Sequence, residues 1–97
     1  LAQISLLHRL QGKALADIRA AAAANPDGLE QQLDVADLDV SGGHVEDAFD
    51  RLLVLFPKLD QDGKNAVRAR LLDLFEVVGL TDPAVNAARM RLTNLLY

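Results

Sequence analysis

The chain predicts an all-α fold, and three features of its 97 residues carry that prediction. Half of them, 51%, are hydrophobic, with alanine and leucine prominent and β-branched residues few and scattered, a composition that favours helix over strand. Apolar residues recur at three- and four-residue intervals, as one face of a helix requires. Proline and glycine fall between the periodic segments, at Pro26, Gly42-Gly43, Pro57, Gly79 and Pro83, where they stop or start helices. One domain with a modest core is expected at this length.

The first helix is expected from about Gln3 to Ala24, with Ile4, Leu7, Leu10, Ala14 and Ile18 on one face. Gly12 weakens it by about 1 kcal/mol relative to alanine, so it bends there or starts after it. Asn25-Pro26 stops it, because the residue before proline avoids helical angles. Asp27 is then expected to cap a second helix from about Gly28 to Val40, with Glu30 completing a capping box. Leu29, Leu33, Ala36 and Val40 form its apolar stripe, and Gly42-Gly43 ends it with a tight reversal.

A third helix from about His44 to Phe56 carries Ala48, Leu52 and Leu55 beside Phe49, Leu53 and Phe56, a wide surface suited to packing on both sides. Pro57 ends it, and Pro57 to Gly63 are expected as a polar loop. The fourth helix, about Lys64 to Val78, buries Val67, Leu71, Leu72, Phe75 and Val78, and Gly79 closes it. Asp82 caps the fifth, with Pro83 at its first position, where a missing amide hydrogen is harmless. That helix runs to about Leu96 and turns Val85, Ala88, Leu92 and Leu95 or Leu96 inward. The result is five helices in antiparallel hairpins.

A formal charge of -4 with no basic run argues against nucleic acid as a partner. Without cysteine the chain has no disulfide, thiol nucleophile or thiolate metal site. No apolar stretch approaches the roughly 20 residues of a membrane span. A start at Leu1, inside the apolar periodicity, suggests a domain cut from a longer protein.

The spacing of small residues carries a repeat. Ala36 is followed by Ala48 and then Leu52, while Ala14 and Ile18 precede Ala48 and Leu52 by thirty-four residues. Pro26 lies just before Leu29, and Gly42-Gly43 falls at the inter-helix turn. This resembles the tetratricopeptide repeat, in a degenerate form. The aromatic and glycine signature of the first helix is absent, and the same offset from Pro26 reaches Asp60 rather than a proline.

A second resemblance covers almost the whole chain. It rests on Asn25-Pro26-Asp27, Leu33-Asp34-Val35-Ala36, Val45 to Leu53, Leu71-Leu72-Asp73-Leu74-Phe75-Glu76, Asp82-Pro83 and the ending Arg89-Met90-Arg91-Leu92-Thr93-Asn94-Leu95-Leu96-Tyr97. Together these look like the C-terminal domain of bacterial thioredoxin-like co-chaperones, which join an N-terminal thioredoxin fold to a tetratricopeptide-like domain. The resemblance implies a cytoplasmic holdase that binds unfolding clients and passes them to a chaperonin, with the terminal helix as the chaperonin contact. Redox activity does not carry over, since the thioredoxin cysteines are missing here. A structural homodimer and an accessory domain of a redox enzyme are the rival readings.

Candidate chemistry within the chain is sparse. Asp60-x-Asp62-Gly63 resembles part of a calcium loop, but aligned on its glycine it puts Lys58 and Ala69 at ligand positions. His8 and His44 have no partner at ligand spacing, and Ser5 and Ser41 lie in no nucleophile motif. No catalytic, cofactor or metal site is expected, and the chain is read as a binding domain rather than an enzyme. The expected protein-binding residues are Gln32, Val35 and Asp39, as the inner face of a first repeat helix, with Arg89, Arg91 and Tyr97 on the terminal helix. Glu30, Asp34, Asp37 and Asp39 make the second helix acidic while Arg68, Arg70, Arg89 and Arg91 make the last two basic, an asymmetry that either recognises a charged partner or, as the simpler reading, solvates outer faces.

Overall fold

The structure, a computed structural model, describes Leu6 and residues 15–96. Among residues 15–96 five α-helices follow one another: α1 Leu15–Ala24, α2 Leu29–Ser41, α3 Val45–Leu55, α4 Gln61–Val78 and α5 Pro83–Leu96. A 3-10 turn at Phe56–Lys58 links α3 to α4, and no strand occurs among the described residues. The part of the first helix expected before Leu15, with Ile4, Leu7, Leu10, Gly12 and Ala14, lies outside the described residues.

The turns show which local chemistry sets each boundary. Asn25 closes α1 twice, its backbone N–H donating to the Ala21 carbonyl at 3.1 Å and its side chain to the same oxygen at 3.0 Å. The capping box expected from Asp27 and Glu30 does not form. Gly28 occupies the N-cap of α2 in extended conformation, without a side-chain cap. Asp27 is therefore one residue too early to reach the free amides, and it pairs with Lys58 at 3.2 Å instead. Gly42-Gly43 behaves as expected: Gly43 adopts φ of 85°, its N–H donates to Val40 O, and His44 N–H donates to Asp39 O at 2.7 Å. Those two bonds are the Schellman pattern, which satisfies the last carbonyls of α2.

The fourth helix starts earlier than expected, at Gln61 rather than Lys64. Asp60 is the reason, because its side chain accepts from Gly63 N–H at 2.8 Å and caps the helix. The Asp60-x-Asp62-Gly63 segment is thus a helix start. Gly63 lies buried inside it, and a Cβ there would come within 3.0 Å of Leu59 Cβ. Asp82 caps α5 as expected, accepting from Ala84 N–H at 2.8 Å with Pro83 as the first helical residue.

α2 is the central helix, packing on α1, α3 and α4, while α3 packs on α4 and α5. The main core draws Leu33 and Ala36 from α2, Ala48, Phe49 and Leu52 from α3, Val67, Leu71 and Phe75 from α4, and Val85, Ala88 and Leu92 from α5. Ala36 and Ala48 are fully buried in it, and their lack of bulk lets the central helices approach closely. Phe49 and Phe75 meet edge to face, with ring centroids 5.1 Å apart at 84°. That geometry adds about 0.5–1.5 kcal/mol beyond area burial.

Two inward assignments fail. Leu72 is 48% exposed, and Leu74 is buried in its stead, since the stripe of α4 that meets α2 and α3 passes through Leu71, Leu74 and Phe75. Leu95 and Leu96 are both exposed, because Leu92 is the last α5 residue in the core cluster. Val78 is partly buried against the same core.

Replacing Ala48 with leucine should overpack the α2–α3 contact and lower unfolding stability by about 1–3 kcal/mol. Asp60→Ala should cost about 1 kcal/mol through the lost cap. Urea midpoints of the two variants against the parent chain check both values.

Candidate functional site

The polar residues of α2 are largely internal, contrary to expectation. Gln32, Val35 and Asp39 are buried, and Gln32 and Asp39 lie in the lining of a groove to which they give little exposed surface of their own. The cause is α1, which lies over that face: Ile18 and Ala22 of α1 meet Val35 and Leu38 of α2 in a second, smaller apolar cluster. The Gln32 side chain donates to the carbonyls of Ala22 at 3.1 Å and Asn25 at 3.0 Å, closing the end of α1. Its oxygen accepts from Arg51 of α3 at 2.9 Å.

Asp39 takes two cations. Its side chain is 5% exposed and lies 3.3 Å from Arg19 of α1 and 3.7 Å from Arg51 Nε. The buried Arg51 Nε and Asp39 Oδ2 make no hydrogen bond, so their attraction is Coulombic. Asp37 is fully buried and accepts from Arg70 of α4 at 2.6 Å. The acidic face expected to be solvated is therefore partly the seam by which α2 holds its three neighbours.

Depressions open on the surface among the described residues. A groove of about 500 Å³ runs between α1 and α3, with Arg19, Gln32, Asp39, Arg51, Val54 and Lys58 among its walls. A second depression of about 500 Å³ separates α3 from α5, with Glu46, Asp47 and Asp50 facing Arg91 over Ala84, Ala87 and Ala88. Arg91 is engaged there by Asp50 at 3.0 Å, in an exposed pair. The outer face of α5 forms a third, of about 470 Å³, from Asn86, Arg89, Met90, Thr93 and Asn94. Met90 at its centre is 70% exposed.

Arg89 and Met90 thus share a surface, Arg91 belongs to the neighbouring depression, and Tyr97 lies outside the described residues. Met90, Asn86 and Thr93 were missed as site residues. Their signal was present as a stripe at helical spacing opposite Val85, Ala88 and Leu92. Among the described residues no three His, Cys, Asp or Glu side chains come together as a metal site. None of the described helices is long and apolar enough to cross a membrane.

A family model described as tetratricopeptide repeat matches residues 8–97. An uncharacterized protein of Mycobacterium bovis is 37% identical over 71 residues, which is 73% of this chain and 23% of the relative. Uncharacterized proteins from two strains of Mycobacterium tuberculosis match with the same identity and coverage. The chain thus spans about a quarter of the length of these curated relatives. No solved structure matches significantly.

Asp37→Ala should destabilise the domain by about 3 kcal/mol or more, since it strips a largely buried guanidinium of its acid. Arg91→Ala removes an exposed partner and should cost less than about 1 kcal/mol. Denaturant titrations of both variants check the contrast.

Proposed function

The chain belongs to the tetratricopeptide repeat family, and on that premise we propose that it is the protein-binding domain of a thioredoxin-like co-chaperone. Domains of this family generally mediate protein–protein interaction, and the finer reading rests on the sequence resemblance described above. The observation that carries it is the outer face of α5, where exposed Met90 is ringed by Asn86, Arg89, Thr93 and Asn94. An apolar, conformationally adaptable centre with a polar rim is the surface composition of a reversible protein contact.

In this reading α5 docks a chaperonin, and the domain presents unfolding clients to it in the cytoplasm. The missing part of the protein holds a thioredoxin fold N-terminal to this domain. A Cys-x-x-Cys motif in that part would favour service to a redox enzyme, and its absence a pure holdase. Self-association is the second reading, favoured by Leu95 and Leu96 standing exposed in the last turn of α5. It would bury these residues against a second copy.

The test is co-elution of the purified domain with the chaperonin of its source organism. The parent chain should co-elute, and a Met90→Asp, Arg89→Glu variant with unchanged circular dichroism should not. Failure of the parent chain to co-elute would reject chaperonin docking by this domain. A concentration-dependent mass that disappears in the same variant would establish the dimer instead.

A further inference from the structure

Open grooves of about 500 Å³ run on either side of α3, and they differ in how their charge is met. In the groove toward α1, Asp27 and Asp39 each have a cation of the fold, Lys58 at 3.2 Å and Arg19 at 3.3 Å. Asp47 and Asp50 form the ridge between the two grooves. In the groove toward α5 they join Glu46 along one wall, and the cation that reaches this wall is Arg91, 3.0 Å from Asp50. Glu46 and Asp47 are exposed and take no cation among the described residues. Both stand in the first turn of α3, where the positive end of the helix dipole keeps them charged in the free domain. The opposite wall is apolar, with Pro83, Ala84 and Ala87 of α5 above the buried Phe49 and Ala88.

We propose that the groove between α3 and α5 docks short segments of unfolded clients in which an arginine or lysine stands beside small apolar residues. This refines the client-holding reading above and rests on it. Charge and shape together select the occupant. An acidic segment would add to carboxylates that already outnumber their cation, and a purely apolar one would strip water from Glu46 and Asp47 without compensation. A cation beside alanine-sized side chains suits both walls at once. Arg91 shows the contact within the fold, because it lines the groove with Ala87 and Ala88 and donates to the Asp50 carboxylate. A client cation repeats that contact one turn nearer the start of α3, at Glu46 or Asp47. Asn86, Met90 and Thr93 lie outside this groove, so the client and the chaperonin contact proposed above use different faces of α5.

The test follows the fluorescence anisotropy of a fluorescein-labelled Gly-Ala-Arg-Leu-Ala-Arg-Ala-Gly peptide on titration with the 97-residue chain. The parent should bind it, and a chain carrying Glu46→Lys and Asp47→Lys should bind about tenfold more weakly. A control chain carrying Glu30→Lys and Asp62→Lys changes net charge equally, again in first helical turns, and should bind as the parent does. Ala87→Leu keeps a strong helix former, fills the groove without altering charge, and should also weaken binding. Arg91→Ala frees Asp50 and should tighten binding about threefold, the scale of one exposed ion pair. Reduced, carbamidomethylated lysozyme, an unfolded basic chain, should follow the same order across the variants, all of them matching the parent by circular dichroism.

No binding of the peptide by the parent would overturn the groove as a docking site. Equal weakening by the two charge-reversal pairs would do the same, leaving only attraction to net charge, as would unchanged binding by the Ala87→Leu chain. A peptide that follows the expected order while the unfolded protein binds none of the chains would keep the groove as a site for basic segments and reject client holding, so the two failures are distinguishable.

Discussion

Burial of charge on a central helix is the constraint around which the rest of this domain is arranged. α2 packs on three of the described helices, so little of its circumference remains for solvent. Yet it carries Gln32, Asp37 and Asp39 at buried positions. An unpaired buried carboxylate is too costly to keep in its charged form. Each neighbour therefore supplies a donor: Arg19 from α1, Arg51 from α3 and Arg70 from α4. Apolar packing alone would let these helices slide or rotate against α2 with little penalty. The acid–arginine pairs add direction, since each is satisfied in one arrangement of the pair of helices.

That same feature divides what the sequence made legible from what it did not. Proline, glycine and aspartate at helix ends act on their own neighbours, so Asn25-Pro26, Gly42-Gly43 and Asp82-Pro83 could be read correctly from local order. Ala36 and Ala48 were legible for a similar reason, since a small residue at helical spacing has one packing consequence. The misreadings arise where a distant residue decides. Asp27 stands one residue before the N-cap and pairs instead with Lys58, from the 3-10 turn that follows α3. Val35 is covered by α1, a helix whose position no periodicity within α2 encodes, and Gln32 and Asp39 keep only a small share of the groove beside it.

Charged residues were the weakest guide to the candidate site. Treating acids as a solvated face works for Glu30, which stays exposed, and fails for Asp37, whose partner lies 33 residues away. Met90 illustrates the converse, because a methionine in an apolar-rich helix passes for core until the helix is seen packed on one side only. The repeat is distorted by the same packing. α4, at 18 residues, is longer than α2, at 13, and its start is set by the Asp60 cap where a regular repeat would place a turn proline.

The pairing of Asp37 with Arg70 also bears on how such a domain changes over evolutionary time. Neither residue can drift alone, since each single replacement passes through a state with an uncompensated internal charge. Exchange for an apolar pair requires two coincident changes on helices far apart in the gene. The outer surface of α5 has no such bond among the described residues to its central methionine, and single substitutions there leave the interior untouched. Descendants of one ancestor could then diverge in what they bind while keeping one interior, with partner choice changing residue by residue and the scaffold only in correlated steps.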